Sequence, residues 1–347
     1  MLLSELDFHL PPELIAQQPT PDRGASRLLH FDRTTDAIAH HSRFDEIQIL
    51  LRPGDLLVMN DARVTPARFN LQKPTGGVVQ ALFVSQTHPR RWTVMLRNLG
   101  PLQPDISLSL EGDPSVELRA VQKHEGGLYE LESPVDLDAQ SLLERVGRMP
   151  LPPYIKRDKH ADPRDGNDRE RYQTVYASTP GSIAAPTAGL HFTQALLDRL
   201  TQSGIELARV TLHVGLGTFK PVEADDLNDH DMHTEHYAIS SDAAAAINRA
   251  KRDGRRVIAV GTTTCRVLES QAAGDIRPLV GQTNLLIQPP YQWKHVGSLI
   301  TNFHLPKSTL IALVSALVGV EARRRIYDEA IASKYRFFSF GDAMFVS

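Results

Sequence analysis

The sequence predicts an α/β protein with a mixed or largely parallel sheet, interrupted by an inserted all-β barrel domain. Helix-like and strand-like segments alternate from Thr193 to the C-terminus, a pattern typical of a sheet with helices packed on it. Residues 65–134 instead contain short segments of alternating polar and apolar residues, separated by Gly, Pro, Asn and Asp, as in a small antiparallel barrel. With 347 residues, the chain is also longer than a usual single domain of roughly 100–200 residues. We therefore predict an α/β body formed by residues 1–64 and 135–347, and a barrel formed by residues 65–134.

The composition excludes several classes of protein. Hydrophobic residues make up 41% of the chain and charged residues 23%, with a net charge of -3, which argues against a disordered protein or a generally cationic nucleic-acid coat. The single cysteine, Cys265, rules out an intramolecular disulfide and a cysteine-rich zinc site. The first residues lack a signal sequence, and the longest apolar run, Leu310 to Val320, is too short for a bilayer span of about 20 residues. We expect a soluble cytoplasmic protein without a membrane partner.

The first part of the predicted body begins with two prolines, Pro11 and Pro12, which suit the first turn of a short helix that runs to Gln17. Arg23 to Leu29 follows, and the two guanidinium groups of this segment flank a flexible turn. The turn could hold a carboxylate or a phosphate, or it could be a solvated turn before a strand. Gly54 to Asp61 then predicts a buried strand that ends in two polar residues.

The barrel prediction depends on five strand-like segments in the middle of the chain. They contain no evident cluster of catalytic residues, and a helical pattern follows them at Leu137 to Val146. The predicted barrel strands are Val78–Ser85, Trp92–Arg97, Ile106–Leu110, Val116–Gln122 and Leu128–Leu131.

A long charged connection follows this helix and carries a basic cluster bounded by Tyr154 and Tyr172. Taken alone, such a run is more often a solvated loop than a binding site. Its length also allows it to grip the phosphates of a nucleic acid and to stack a base. The cationic residues of the cluster are Lys156, Arg157, Lys159, Arg164, Arg169 and Arg171.

The C-terminal part, where strands alternate with helices, contains three loops that each carry a histidine. Residues 181–193 contain His191, residues 212–219 contain His213, and residues 301–309 contain His304. Because loops gather at the carboxyl ends of parallel strands, these loops predict one shared site. The predicted strands are Ile205–Val214, Arg256–Val260, Leu285–Gln288 and Ser298–Phe303, and the main predicted helices are Gln194–Gln202, Asp242–Arg252, Thr262–Ala273, Ser308–Val318 and Glu321–Ser333.

Two further segments could carry chemistry. His230, His233 and Glu235 lie within six residues, which suggests a metal-dependent hydrolase, although zinc needs three or four ligands in a defined geometry and the helical His-Glu-X-X-His spacing is absent. Substrate binding or acid and base chemistry is the favoured interpretation. Gly261 to Arg266 joins a buried strand to a helix through a glycine and three hydroxyls, which suits a carboxylate, a phosphate or ribose hydroxyls, or else an ordinary helix cap.

Taken together, these segments resemble the S-adenosylmethionine:tRNA ribosyltransferase-isomerase family of queuosine biosynthesis. The resemblance runs in order from Asp7 to Asp342. It is carried by Asp7–Phe8, Leu14–Gln17, Ser26–Leu29, Gly54–Val58, Asn60–Val64, Ala67–Arg68, Tyr172–Ala177, Gly181–Thr193, Val210–Val222, His230–Glu235, Gly261–Glu269, Leu299–Leu310 and Tyr335–Met344.

The resemblance implies an α/β domain interrupted by a β-barrel, and a transferase of tRNA modification. Such an enzyme transfers and isomerises the ribosyl part of S-adenosylmethionine onto an aminomethyl-deazaguanine at the tRNA wobble position. The products are epoxyqueuosine-tRNA, adenine and methionine. S-adenosylmethionine is consumed as a substrate, so we expect no separate cofactor and no metal. The expected partners are tRNA and S-adenosylmethionine, and the expected state is a monomer. A non-catalytic RNA-binding module is a third interpretation, which the hydroxyl-rich and histidine-rich strand ends argue against.

The chemistry of this substrate suits histidine. A sulfonium acidifies the neighbouring ribose 5′ carbon, so a base with a pKa near neutrality can remove a proton, and the departing adenine needs a proton or hydrogen bond. We hypothesise that His191, His213 and His304 converge with Glu235 as catalytic residues. The predicted substrate-binding residues are Arg27, Asn60, Asp61, Arg63, Thr187, Gly189, His233, Gly261, Thr262, Thr263, Arg266, Asn302, Lys307 and Ser308. The predicted RNA-binding residues are Lys156, Arg157, Arg169 and Arg171.

Overall fold

The structure is a computed structural model that describes residues 1–103, 106–158, 162–215, 217 and 222–347. The chain forms two compact units. The larger unit contains Met1–Arg63, Pro153–Lys156 and Gln173–Ser347, and the smaller unit contains Val64–Pro152 and Arg157–Tyr172. Parts of two predicted features, Lys159 in the basic cluster and Leu216, Thr218 and Phe219 in the second histidine loop, lie outside the described residues.

Strands and helices alternate in the C-terminal part of the chain, from α3 onwards, as the sequence predicts. The strands in the described residues are β1 (Leu28–Asp32), β2 (Ala37–His41), β3 (Leu56–Asn60), β4 (Ala62–Val64), β5 (Arg68–Gln72), β6 (Val78–His88), β7 (Arg91–Arg97), β8 (Ser107–Leu110), β9 (Asp113–Lys123), β10 (Leu128–Glu132), β11 (Thr179–Ser182), β12 (Glu206–His213), β13 (Glu235–Ile239), β14 (Val257–Val260), β15 (Leu279–Thr283), β16 (Ser298–Asn302) and β17 (Ala343–Val346). The α-helices are α1 (Ala139–Val146), α2 (Asp165–Arg171), α3 (Gln194–Gln202), α4 (Ser241–Arg252), α5 (Thr262–Glu269), α6 (Thr309–Val318) and α7 (Val320–Ala332).

The larger unit is built on a mixed sheet of nine strands in the order β15-β13-β12-β3-β14-β16-β17-β1-β2. The four central strands, β12, β3, β14 and β16, run parallel to one another. β3, β14 and β16 are buried at every position, as expected for parallel strands that are covered on both faces. The predicted α/β class is therefore confirmed.

This topology brings several chain segments to one edge of the sheet. The carboxyl ends of β12, β3, β14 and β16 share that edge because the strands are parallel. Antiparallel β13 begins there, because His213 at the end of β12 pairs with His236 near the start of β13. β17 and β1 also begin there, since Asn302 pairs with Ala343 and Ala343 pairs with Leu28. We call this edge the carboxyl edge.

The smaller unit contains a closed antiparallel barrel with the strand order β10-β7-β6-β5-β8-β9, which confirms the predicted barrel. Its core contains Trp92 with Phe69 and Phe83 packed edge-to-face against the indole ring. The sequence gives no clear signal for β5, because only Phe69 and Leu71 point to the barrel core within its five residues.

The smaller unit is longer than the predicted 65–134 segment. Leu142 and Leu143 of α1 belong to the barrel's apolar core, so this helix packs with the barrel. Residues 157–172 also belong to this unit and include α2, a helix inside the predicted loop. The Arg157 guanidinium forms a buried bidentate pair with Asp168, with Nε–Oδ2 and Nη2–Oδ1 distances of 2.6 Å and 2.8 Å.

Two local predictions were wrong. The predicted strand Leu285–Gln288 is irregular, and the strand of that region lies earlier, at β15, where it pairs with β13. The predicted helix that begins at Pro11 is a single 3₁₀ turn at Pro12–Leu14. It ends there because Ile15 adopts an extended backbone and forms a bridge with Phe337. Among the described residues, no helix is both long and apolar enough to cross a membrane.

Candidate functional site

Asn60, at the carboxyl end of β3, holds the neighbouring parts of the carboxyl edge together. Its side chain is fully buried. The amide nitrogen donates to Leu212 O at 3.1 Å and to Thr263 Oγ1 at 3.2 Å, and the amide oxygen accepts from the Leu212 and Ala62 N–H groups at 3.0 Å. Asn60 therefore fixes the end of β12 against the first turn of α5. Its hydrogen-bonding groups are used within the protein, so it positions the site instead of contacting substrate as predicted.

His213 is the half-buried histidine at the end of β12. Its Nδ1 atom is buried and has no hydrogen-bond partner in the described part of the chain. Gly181 lies against the ring: a Cβ added to Gly181 would be 3.3 Å from Nδ1, and the glycine has a φ of +121°. Burial and the neighbouring His236 lower the pKa of His213, while the Asp61 carboxylate raises it. The imidazole is therefore neutral near pH 7.

The segment from Ser178 to Ile183 is attached to the protein on both sides of Gly181. On one side, the Ser178 hydroxyl donates to Asp61 Oδ2 at 2.7 Å. On the other side, the Val214 N–H donates to Ser182 Oγ at 3.0 Å and the Ile183 N–H donates to Val214 O at 3.1 Å. These bonds hold Gly181 next to the His213 ring.

Asp61, predicted to bind substrate, anchors this segment. Its Oδ1 atom accepts from Thr211 Oγ1 at 2.7 Å, and its Oδ2 atom accepts from Ser178 at 2.7 Å and from Thr179 Oγ1 at 3.5 Å. Both carboxylate oxygens are thus engaged by protein hydroxyls. The carboxylate acts on His213 through its charge and through the segment it holds.

His191 is a buried core residue and not an accessible base. Its Nδ1 atom lies 2.6 Å from Ser26 Oγ, and its Nε2 atom lies 3.2 Å from the amide nitrogen of Asn302. Because an amide nitrogen only donates, Nε2 must accept and Nδ1 carries the proton. The ring also stacks on Phe44. Burial lowers the pKa of His191 to about 3.

His304 is also a buried, neutral residue. Its Nε2 atom lies 2.8 Å from Thr301 Oγ1, and burial lowers its pKa to about 3. The main-chain N–H of His304 donates to the Tyr327 hydroxyl at 3.2 Å. The convergence of His191, His213 and His304 on one substrate stays a prediction. β12 and β16 are separated by two strands, so their ends lie roughly 14 Å apart at about 4.8 Å per strand spacing.

Glu235, predicted to be catalytic, forms a buried ion pair with Arg266. Its Oε2 atom contacts Arg266 Nη1, and its Oε1 atom accepts from the Gly215 N–H at 3.2 Å. The Arg266 Nε atom donates to Leu285 O at 3.0 Å, whereas its Nη2 atom is buried without a partner among the described residues. Glu235 thus anchors the guanidinium and the chain just after His213.

The backbone at Gly261 and Gly189 brings the first histidine loop against the start of α5. Gly261 has a φ of +90°, and a Cβ there would be 3.7 Å from the Ala188 Cβ. Gly189 has no room for a side chain, because a Cβ at this position would be 2.0 Å from the Tyr176 hydroxyl oxygen. Thr262 and Thr263 form the first turn of α5, and Thr187 is half-buried in the 3₁₀ turn that contains His191. The structure therefore groups these predicted residues at the carboxyl edge.

Other predicted site residues have structural partners. The Arg27 guanidinium pairs with Asp342, donates to Ser333 O and Lys334 O, and lies 4.1 Å from the centre of the Tyr335 ring. Lys307 pairs with Asp7 at 2.9 Å, and the Ser308 hydroxyl caps α6. The side chain of Asn302 is buried against His191 and Phe338 O, and its Oδ1 atom has no partner in the described residues.

The predicted RNA-binding cluster is divided by the structure. Arg157 is buried with Asp168, so its guanidinium does not reach a ligand at the surface. Arg169 contacts Glu144, while Arg63 and Lys156 are exposed and Arg171 is half-buried. His233 is exposed and lies against Gly217. Within the described ranges, no group of three or more His, Cys, Asp or Glu side chains is placed to hold a metal ion.

Comparison with known proteins identifies the family. A family model described as queuosine biosynthesis protein matches residues 3–346. The chain belongs to the queuosine biosynthesis protein family. It is 48% identical to a protein of Geotalea uraniireducens (strain Rf4) and 46% identical to one of Symbiobacterium thermophilum, in each case over 100% of both chains. Both relatives are named S-adenosylmethionine:tRNA ribosyltransferase-isomerase.

A solved structure is also similar to this chain. It is titled as S-adenosylmethionine tRNA ribosyltransferase from Thermotoga maritima, with 32% sequence identity and a TM-score of 0.55, and the match covers 99% of this chain and 100% of that chain. The family resemblance read from the sequence is thus confirmed.

The sequence did not single out Ser26, Ser178 or Thr211. Ser26 contacts His191, while Ser178 and Thr211 hold Asp61. Of these three residues, Thr211 could have been found from the sequence, because its hydroxyl lies between two apolar residues of a buried strand. Ser26 lies in a bend and Ser178 in an irregular segment before β11, and their partners are more than 100 residues away in the sequence.

The buried histidines predict how stability depends on pH. The pKa values of His191 and His304 are lowered to about 3, so below about pH 6.5 the unfolded state binds protons that the folded state does not. The contribution of the two neutral histidines to the free energy of unfolding is fully present above pH 6.5 and is lost as the pH falls towards 3. Between pH 7 and pH 5, we expect each histidine to reduce the free energy of unfolding by roughly 2 kcal/mol.

Urea unfolding of the His191→Gln variant at both pH values checks this prediction. Between pH 7 and pH 5, the free energy of unfolding of this variant should fall by roughly 2 kcal/mol less than that of the wild type. His124→Gln is a matched control because His124 is exposed in the smaller unit, and it should keep the wild-type pH dependence. An unchanged loss in His191→Gln would contradict the assignment of a neutral buried His191.

Proposed function

We infer that this protein is an S-adenosylmethionine:tRNA ribosyltransferase-isomerase. It transfers and isomerises the ribosyl part of S-adenosylmethionine onto the aminomethyl-deazaguanine at the tRNA wobble position, and it releases adenine and methionine. Membership of the queuosine biosynthesis family over residues 3–346 and relatives at 46–48% identity over their full length support this function.

His213 is the general base of the proposed mechanism. The observation that carries this assignment is its half-buried, neutral ring at the edge where the other predicted site segments gather. The sulfonium of S-adenosylmethionine acidifies the ribose 5′ carbon, and the imidazole of His213 accepts that proton. The lowered pKa of His213 keeps the imidazole neutral and ready to accept. His191 and His304 hold the surrounding core and take no proton from the substrate.

Arg266 and the start of α5 form the proposed site for the carboxylate of the methionyl group. The Arg266 Nη2 atom lacks a partner among the described residues, and Glu235 fixes the orientation of the guanidinium. The first N–H groups of α5 follow Gly261, which contributes no side-chain cap. Helix N-termini and guanidinium groups both favour carboxylates.

The reaction involves neither a net redox change nor hydrolysis, so the proposed mechanism uses no resident metal or nicotinamide. Glu235 is engaged by Arg266 and therefore does not serve as a metal ligand in it. The mechanism needs one chain, and we propose that the protein acts as a cytoplasmic monomer with tRNA and S-adenosylmethionine as its partners.

Release of adenine from S-adenosylmethionine tests the proposed function. The wild-type protein should release adenine only with tRNA that carries the aminomethyl-deazaguanine, and a chelator should not change the rate. Because a positioned base contributes about 10²–10⁴-fold, His213→Ala should lower kcat by a factor in that range. The exposed His124→Ala variant should retain the wild-type rate. Full turnover by His213→Ala would rule out His213 as the base.

Gly181 is predicted to position the base. Gly181→Ala places a Cβ 3.3 Å from His213 Nδ1 on a backbone with a φ of +121°, so the ring or the segment must move. The required shift is a few tenths of an ångström, and because the rate falls steeply when a catalytic group is displaced, we expect kcat to fall by roughly 3–10-fold. Gly274→Ala is the control, since Gly274 has a φ of +105° but no heavy atom within 4 Å of the added Cβ. Equal rates for both variants would contradict the prediction.

Asp61 is predicted to shift the pH dependence of catalysis. A base must be unprotonated, so kcat/KM falls as the pH drops through the pKa of His213. Asp61 raises this pKa, so Asp61→Asn should move the acidic limb of the kcat/KM profile to lower pH. Ser178→Ala removes a hydrogen bond but keeps the carboxylate charge, so its limb should stay in place. A limb that moves to higher pH in Asp61→Asn would exclude this electrostatic role.

A further inference from the structure

Two arginines face each other directly on the smaller unit. The Arg68 N–H donates to Arg148 O at 3.1 Å, and the Arg148 N–H donates to Arg68 O at 2.7 Å. Residues that exchange both hydrogen bonds across an antiparallel bridge are directly opposite and project to the same side. Like charges in this arrangement are destabilising. The arrangement therefore favours a bound anion between or above the two guanidinium groups.

A third arginine lies on the same outer face of the barrel. Arg68 on β5 is opposite Leu82 on β6, and Gln80, two residues before Leu82, is opposite Arg97 on β7. Directly opposite residues and residues two apart in one strand share a face. Phe69 lies on the other face, in the barrel core. Arg97 is exposed.

The positive charge of this face exceeds its negative charge. Two acids near Arg148 are Asp165 and Glu111, which lie 3.4 Å and 3.9 Å from its nitrogens. Arg68 is half-buried, yet its guanidinium has no ion pair or hydrogen bond with any residue that the structure describes. Burial, Arg148 and Arg97 lower the pKa of Arg68, whereas the Asp165 carboxylate raises it. A guanidinium in this setting lacks an acceptor that a phosphate can supply.

We propose that Arg68, Arg97 and Arg148, which we call the arginine face, bind backbone phosphates of the tRNA. This inference rests on the proposed function, which supplies the RNA. Arg68 and Arg97 are two strand spacings apart, roughly 10 Å, which is wider than a single phosphate and suits successive phosphates of a polynucleotide. The sequence predicted RNA contacts in residues 156–171. The arginine face lies outside that range, with Arg68 on β5 and Arg97 on β7 of the barrel.

Binding of tRNA to the full-length protein at several salt concentrations tests the arginine face. Arg97→Ala and Arg68→Gln should each raise the Kd for tRNA by about 3–10-fold. Each should also reduce the slope of log K against log salt by about 0.7–0.9, because one phosphate contact is lost. Arg68→Lys keeps the charge and should retain most of the salt slope.

Arg119→Ala is the matched control. Arg119 is an exposed cation of the same unit, on β9, a strand that pairs with β8 and β10 and not with β5, β6 or β7. Its removal should leave both the Kd and the salt slope unchanged. Wild-type Kd and slope in Arg97→Ala and Arg68→Gln would overturn the inference, as would an equal loss in Arg119→Ala. Arg97 is exposed, so its variant decides the question even if Arg68→Gln fails to fold. A wild-type protein that neither binds nor modifies tRNA would instead overturn the proposed function.

Discussion

The site depends on the buried amide of Asn60. At the carboxyl edge, the regular strand hydrogen bonds end and their donors and acceptors need other partners. The Asn60 side chain supplies them: it bonds the main chain of Leu212 on β12 and the hydroxyl of Thr263 on α5. An unpaired buried polar group costs about 1–3 kcal/mol, so this small set of bonds fixes the relative positions of His213 and Gly261. Both proposed functions of the edge, proton removal and carboxylate binding, are built on those positions.

Burial divides the three histidines of this edge into two kinds. His191 and His304 are enclosed and bonded to hydroxyl groups, so the charged imidazolium is strongly disfavoured and both rings are neutral parts of the core. His213 is half-buried, and its environment combines desolvation with the charge of Asp61. An accessible base needs this intermediate setting, because full burial suppresses its basicity and full exposure leaves the ring without orientation.

The carboxylates of the larger unit act mainly as anchors for main chain and for other side chains. Asp61 holds Ser178 and Thr211, and Glu235 holds Arg266 and Gly215. Glu269 accepts from the N–H groups of three successive residues, Lys294 to Val296. Such anchors allow irregular loops to have defined positions next to a reactive group. The smaller unit differs at Arg68, whose guanidinium has no acceptor in the described residues, and this difference underlies the arginine face.

The sequence by itself determined the α/β class, the inserted barrel and the family, and it predicted the strand ends at which the proposed site lies. These features depend on local periodicity and on long strings of residues, which are readable without knowing any distant contact. Only the tertiary structure decided the burial and the hydrogen-bond partners of each side chain. Arg157 and Arg68 are the same residue type in polar stretches of the sequence. Arg157 forms a buried ion pair with Asp168, whereas Arg68 lies opposite another arginine, Arg148. His191 became a core residue because Ser26 and Asn302, both more than 100 residues away, saturate its ring. The physical reason is that burial and hydrogen bonding, which set charge and accessibility, are properties of neighbours that folding brings together from distant parts of the chain.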